Sequence, residues 1–296
     1  MGAVGAGRRA PTEASPSPPA GAILLAGGRA SRVGGAAKPL FEIAGTTLLQ
    51  RAVDAVAGCH PVTVVGDRVD GLDREQGAGL DGEPHVAAVK DGRGAGGTDR
   101  ITGAVGDPRA TRSAITWVRE DPPFGGPAAA VVAALRSWAG VPGGLTFSPT
   151  ATAPGWTYLL ACDMPGVAAA VARVAAALPR AHAGTDGLCL MESGTAQPQW
   201  LAGVYRTSAL LRAAQALPGE GRGASVRALL AGIAVEVVPA PADETFDVDT
   251  WEDLASARQR AAEQTTVHSV AVARTTSTST STSTSDATTT LDGGTP

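Results

Sequence analysis

Leu25-Ala-Gly-Gly-Arg-Ala-Ser-Arg-Val-Gly-Gly-Ala-Ala-Lys38 stands directly behind the short apolar run Ala22 to Leu25. This reads as a strand, a glycine turn, a flexible basic segment and a terminal lysine. Glycines let backbone N–H groups approach phosphate oxygens, and fixed cations neutralise them, so the arrangement suits a triphosphate. The lysine carries weight because the residue is scarce: the chain has 22 arginines and two lysines, Lys38 and Lys90. A chain so biased toward arginine that still places a lysine here points to a compact point charge rather than a planar fork. On the glycines alone, a plain glycine-rich strand-to-helix turn is an equal reading.

Outward from this segment, strand-like and helix-like apolar runs alternate, which predicts an α/β layer fold. After the strand Ala22 to Leu25, Thr46 is the expected cap of a helix with Leu48, Leu49, Ala52, Val53 and Val56 on one face. Val62 to Val65 and Ile115 to Val118 read as strands on either side of 70–114, a Gly-, Asp- and Arg-rich stretch expected to be a flexible inserted loop. Pro127 opens a helix carrying Val131, Val132, Leu135 and Trp138; a loose stretch over 140–155 precedes the strand Trp156 to Ala161. A helix over Val167 to Leu178 follows. Leu188 to Met191 and Trp200 to Tyr205 then form an expected antiparallel pair around Glu192-Ser193-Gly194. Short helices near 207–216 and 224–231, a strand Ile233 to Val238 and a helix from Trp251 complete the domain. Ligands of open α/β sheets sit beyond the carboxyl ends of the strands, so Gly27, Gly28, Asp121 and Asp163 are expected on one rim.

Composition bounds the rest. Residues 1–20 are rich in Pro, Ala, Gly and Ser, and 263–296 end in a Thr/Ser alternation; both are expected to be disordered tails around a single foldable domain, 21–262. The net charge is −4 and the pI about 5.6, which argues against nucleic-acid binding. Cys59, Cys162 and Cys189 are odd in number and form no C-x-x-C pair, so a zinc site or disulfide framework is not expected and a reducing compartment fits. No secretory signal is visible and the longest Ala/Val runs are too short for a membrane span, so the expected location is cytoplasmic, with no membrane partner.

Asp163 is the leading candidate for chemistry. It ends the run Tyr158-Leu-Leu-Ala-Cys162 with Met164-Pro165 behind it, so a carboxylate emerges at the rim, where it suits Mg²⁺ opposite phosphates. The competing reading is an ordinary cap for the helix beginning near Val167. Glu120-Asp121-Pro-Pro-Phe-Gly-Gly-Pro127 is a turn before a helix, in which Asp121 can accept from a base or ribose; plain turn chemistry accounts for it equally. Phe246-Asp247-Val248-Asp249-Thr250 carries two acids on one side if extended. Those acids either complete the metal site, or Asp249 or Thr250 caps the helix from Trp251. The serines, histidines and cysteines form no convincing triad.

Leu-Ala-Gly-Gly with Arg32, Gly34, Gly35 and Lys38 at these spacings closely resembles the signature of the molybdenum cofactor guanylyltransferases, the MobA-like nucleotidyltransferases. Leu160-Ala-Cys-Asp-Met-Pro165 resembles that family's second motif, and Gly126-Pro127, Gln197-Pro198 and Phe246-Asp-Val-Asp-Thr250 come in the family's order. The resemblance spans about 21–260. It implies a single three-layer Rossmann-like nucleotidyltransferase domain, with a mostly parallel sheet and an antiparallel strand pair. It also implies a nucleotide site at Leu25, Ala26, Gly27, Lys38 and Asp121, and Mg²⁺ on Asp163; Gly28 and Asp163 are expected in the nucleotide site as well, and Asp249 as a further metal ligand. Arg32 and Lys38 are expected to offset leaving-group charge. The implied reaction moves GMP from GTP to molybdenum-bearing molybdopterin, with molybdoenzyme apoproteins or cofactor-delivery proteins as expected partners. Three features depart from the pattern: Ala37 where an acid usually precedes the lysine, Asp247 and Asp249 where Asn is common, and Gly66-Asp67 where an Asn is expected. The chain contains no asparagine at all. These departures bear on base and acceptor rather than on nucleotidyl transfer. The alternatives are cytidylyl transfer to the same cofactor, guanylyl transfer to another phosphorylated metabolite, a nucleotide-binding module without catalysis, and a scaffold using the long loops.

Overall fold

A computed structural model of the chain describes residues 20–27, 36–69, 115–139 and 153–278, with side chains to 264; the expected loop over 70–114 and all but the last three residues of that over 140–155, with Gly28 and Arg32, lie outside the described residues. Seven strands form the main sheet: β1 (Ala20–Leu25), β4 (Val62–Val65), β5 (Ile115–Val118), β6 (Trp156–Ala161), β7 (Gly187–Glu192), β8 (Pro198–Arg206) and β9 (Val235–Ala240). Their order is β5-β4-β1-β6-β8-β7-β9. β8 runs antiparallel to both its neighbours, and every other pairing is parallel. The predicted α/β class, with its largely parallel sheet and antiparallel pair, is what forms.

The central strands are apolar on both sides because helices cover both faces. Ala22 and Leu24 of β1 join the core under α1 (Leu48–Ala55) and α3 (Val167–Ala177). Ile23 and Leu25 join the core under α2 (Pro127–Ala139), α4 (Thr207–Ala216) and α5 (Val226–Leu230). Trp138 of α2 is buried against the sheet and donates its indole N–H to Thr63 Oγ1 at 2.7 Å. Among the described residues no helix is long and apolar enough to cross a membrane.

Several boundaries differ from the sequence expectation, β1 starting at Ala20 rather than Ala22 and β8 at Pro198 rather than Trp200. The cap of α1 is Thr47, whose hydroxyl accepts from Gln50 N at 3.1 Å; Thr46 instead pairs with Ile43 in a small hairpin, β2 (Glu42–Ile43) with β3 (Thr46–Thr47). Strands of two residues are too short to show a period, and the turn Ala44-Gly45, both at positive φ, does the work of closing them. The last strand lies two residues later than expected. The last helix, α7 (Trp251–Thr278), runs past the expected boundary at 262, so the first part of the expected tail is helical. Ala261-Ala262-Glu263-Gln264 are strong helix formers and neither Gly nor Pro occurs between Trp251 and Gly293, so nothing in the chain stops the helix there. Leu254 and Ala257 pin its first turns onto Ile43, Leu48 and Val248 in a third, smaller core.

A short helix missed in the sequence, α6 (Ala242–Thr245), sets the position of the segment that follows it. Its Glu244 is buried and takes Arg173 of α3 in a two-pronged pair, with Arg173 Nη2 to Glu244 Oε1 at 2.6 Å and Nε on the other oxygen. The approach is close enough that a Cβ on Gly166 would stand 2.2 Å from the Asp243 carbonyl oxygen. Gly166→Ala therefore has to push α6 off α3; the expected cost is about 1–3 kcal/mol, read as a lower thermal midpoint than wild type. An unchanged midpoint would show that α6 is not seated on α3.

Candidate active site

Four adjacent strands end level. Leu25, the last residue of β1, is the register partner of Val65 at the end of β4 and of Ala161 at the end of β6, and Val65 partners Val118 at the end of β5. The chain leaves all four together: Ala26 N donates to Val65 O (2.9 Å), Gly66 N to Val118 O (3.0 Å) and Cys162 N to Leu25 O (3.1 Å). A cleft of about 460 Å³ opens on this rim. Its floor is Leu25, Ala26 and Gly27; Asp67, Arg119, Glu120 and Phe124 line it over β4 and β5, and Lys38 and Asp163 line it over β6.

Lys38 opens a single 3-10 turn, Lys38–Leu40, closed by Phe41 N to Lys38 O at 3.0 Å and tied to α1 by Leu48 N to Phe41 O at 3.0 Å. Its ammonium meets the Asp249 carboxylate. Asp249 is brought there by the segment after α6. Val248 is fully buried and its N–H donates to the Asp163 carbonyl oxygen at 2.9 Å, which sets the acids on either side of Val248 beside Asp163. The helix cap is supplied separately. Thr250 Oγ1 accepts from Asp253 N (3.1 Å), and Asp253 Oδ2 accepts from the N–H groups of Asp249 (3.1 Å) and Thr250 (2.8 Å). Capping falls to Thr250 and Asp253, which leaves the Asp249 carboxylate for Lys38.

The electrostatics follow from this crowding. Burial first, then the neighbouring Asp247 charge, push the Asp163 carboxyl from its ordinary 3.8 up to about 6, although Lys38 pulls the other way. Asp247 is raised as well, by desolvation and then by Asp249. Carboxylates that resist ionisation beside one another have surplus negative charge that a cation relieves. Among the described residues no three His, Cys, Asp or Glu side chains gather in metal-holding geometry. Mg²⁺ does not need them, because it keeps several waters and takes one or two carboxylates plus substrate phosphates. Asp163, with Asp249 held beside it by Lys38, fits that requirement of few protein ligands.

Of the residues singled out in the sequence, Leu25, Ala26, Gly27, Lys38 and Asp163 line the cleft, and Asp249 reaches it through Lys38. Gly28 and Arg32 fall outside the described residues. Asp121 does not line the cleft: β5 ends at Val118, so Arg119 and Glu120 occupy the rim and Asp121 turns out to solvent. Sequence reasoning missed Glu120, Phe124, the ion pair Arg119–Asp67 (2.8 Å) and the Arg173–Glu244 brace. Only the first two carried a signal, lying within the Pro/Gly turn already under suspicion.

A scan against family models matches residues 22–233 to the MobA-like NTP transferase domain. Among solved structures, the chain is similar to Rv0371c from Mycobacterium tuberculosis (18% identity, 81% of this chain and 98% of that one, TM-score 0.48). It is also similar to molybdopterin-guanine dinucleotide biosynthesis protein A from Archaeoglobus fulgidus (17%, 82% and 99%, TM-score 0.46). A third is 2-C-methyl-D-erythritol 4-phosphate cytidylyltransferase from Thermus thermophilus (15%, 81% and 97%, TM-score 0.45). A search of curated proteins returned no match.

The raised carboxyl makes a stability prediction with a definite sign. A group lifted from 3.8 to about 6 contributes fully below pH 4, and that contribution is lost as pH rises through about 6. Asp163→Asn abolishes the penalty, so at pH 8 without Mg²⁺ the variant should unfold at a higher temperature than wild type, by the equivalent of about 3 kcal/mol. At pH 4 the two should converge. Thermal melts at both pH values check this; a variant less stable than wild type at pH 8 would show that the Asp163 carboxylate is not under strain.

Proposed function

Because the chain belongs to the MobA-like NTP transferase domain family, we propose that it is a Mg²⁺-dependent guanylyltransferase, moving GMP from GTP to the terminal phosphate of molybdenum-bearing molybdopterin. An acceptor phosphate oxygen attacks the α-phosphorus of GTP; the new P–O bond forms as the bond to the bridging oxygen breaks, and pyrophosphate leaves. No covalent enzyme intermediate is required, since the acceptor is already an anionic nucleophile. Catalysis is then alignment plus charge neutralisation in a partly dehydrated cleft.

The observation that carries this reading is the convergence, at one end of the cleft, of Lys38 with Asp163, Asp247 and Asp249. Lys38 is a cation at the rim, placed to offset charge on the phosphates, with Arg32 proposed for the same role. The backbone of Ala26 and Gly27, lining the cleft without bulk, leaves room for the phosphate chain. Asp163 and Asp249 would hold Mg²⁺, which when bound polarises phosphoryl oxygens and steadies the leaving pyrophosphate. The acceptor, the choice of guanine and a cytoplasmic setting all belong to the proposal.

The test is full-length protein with Mg²⁺, molybdenum cofactor and either GTP or CTP, scored for pyrophosphate and product mass. The expected result is strong preference for GTP and a product heavier than the acceptor by GMP. Equal use of CTP would overturn the guanylyl assignment. Lys38→Ala should lower kcat/KM about 10²–10³-fold with an intact fold, and Lys38→Arg should recover little of it, since a fork does not replace a point charge. Wild-type turnover in either variant would make the lysine incidental.

A further inference from the structure

The end of the cleft farthest from Asp163 has its own chemistry. Among the described residues three acids line the cleft: Asp67, Glu120 and Asp163. Asp67 is taken by Arg119 at 2.8 Å, and Asp163 belongs to the cluster around Lys38. Glu120 makes no hydrogen bond or ion pair among the described residues. Beside it stands Phe124, which is 61% exposed, more than any other large apolar side chain described, with φ at +65°. Positive φ is costly for an aromatic residue, and such costs gather where a side chain has to be aimed. The aim is held: Gly125 O accepts from Gly223 N at 2.7 Å, and Arg119 lies 5.9 Å from the Phe124 ring centre. A Cβ on Gly125 would stand 3.7 Å from Glu120 Cγ, which places the glutamate stem beside the same turn.

We propose that Glu120 and Phe124 form the nucleobase seat, Phe124 as the stacking face and Glu120 as the reader of the base edge. The inference rests on the guanylyl reading above and replaces Asp121 as the expected reader. A carboxylate has two acceptor oxygens, and guanine presents two adjacent donors, N1–H and N2–H₂, in the matching geometry. Cytosine presents one amino donor beside the acceptor N3, which a carboxylate repels. An exposed aromatic face stacks on the base and gives affinity without choosing among bases. Choice therefore sits on Glu120 and affinity on Phe124.

Glu120→Gln turns this into a gain of function. A glutamine amide keeps one acceptor for N1–H and adds a donor, which suits xanthine, where a C2 oxygen replaces the amino group. Calorimetric titration of the full chain, with Mg²⁺ and GTP, xanthosine triphosphate or CTP, reads the result without relying on turnover. Glu120→Gln is expected to lose tenfold or more in GTP affinity and to gain about tenfold for xanthosine triphosphate. Phe124→Ala should weaken all purine triphosphates about tenfold, and Phe124→Tyr should restore them. If wild type prefers GTP but Glu120→Gln leaves GTP affinity unchanged and gains nothing for xanthosine triphosphate, the seat is wrong and the guanylyl reading stands. Loss of base preference in Asp121→Asn, with Glu120→Gln inert, overturns it in favour of Asp121. Equal wild-type affinity for CTP and GTP removes both the seat and the reading beneath it.

Discussion

Leu25, Val65, Val118 and Ala161 lie side by side at the carboxyl edge of four parallel strands, and the register that aligns them decides where everything else in the site can be. Parallel strands of equal phase release their chains at one level, so four separate loops arrive at one line with no need for long-range guidance. The cleft-lining backbone of Ala26 and Gly27, the turn of Gly66 and Asp67, the rim of Arg119 and Glu120, and Asp163 are all consequences of that edge. The register in turn depends on burial from both sides. Ile23 and Leu24 on successive positions of β1 enter opposite cores, and a slip by one residue would exchange them.

The second constraint is electrostatic. One lysine faces three carboxylates that are held by elements distant in sequence: Asp163 by β6, and Asp247 and Asp249 by the segment that α6 and Val248 lock in place. The brace Arg173–Glu244 and the close pass at Gly166 keep that segment seated. The domain accepts a local cost at Asp163 in exchange for a rim with surplus negative charge. A carboxyl pushed up by burial and by neighbouring acids is a feature that gathers at functional sites, and it is one support for the proposed cation site.

Much of this was legible in the chain. Val62 to Val65, Ile115 to Val118 and Trp156 to Ala161 were read to the residue because short apolar runs bounded by turn residues are how buried parallel strands are written. Asp163 is legible because it ends an apolar strand run abruptly, and Lys38 because it is one of two lysines in the chain and closes the glycine-rich turn. The misses have physical causes. Glu120 and Asp121 are adjacent acids, and only the end of β5 decides which of them faces the cleft. Thr46 and Thr47 are identical neighbours, separated only by the pairing of the hairpin. That Thr250 rather than Asp249 caps the last helix is legible in principle, because Thr250-Trp-Glu-Asp253 is a capping-box pattern. Arg173 and Glu244 meet only through tertiary packing, and no local pattern announces them.

The central claim is that the rim carries more negative charge than the protein alone can balance, and Asp163 reports on it directly. Its side-chain carboxyl carbon can be titrated by NMR in the full chain, first without a divalent cation and then with Mg²⁺. The predicted midpoint without Mg²⁺ is about 6, moving down when the ion is added. A midpoint at the ordinary 3.8, unmoved by Mg²⁺, would contradict the account.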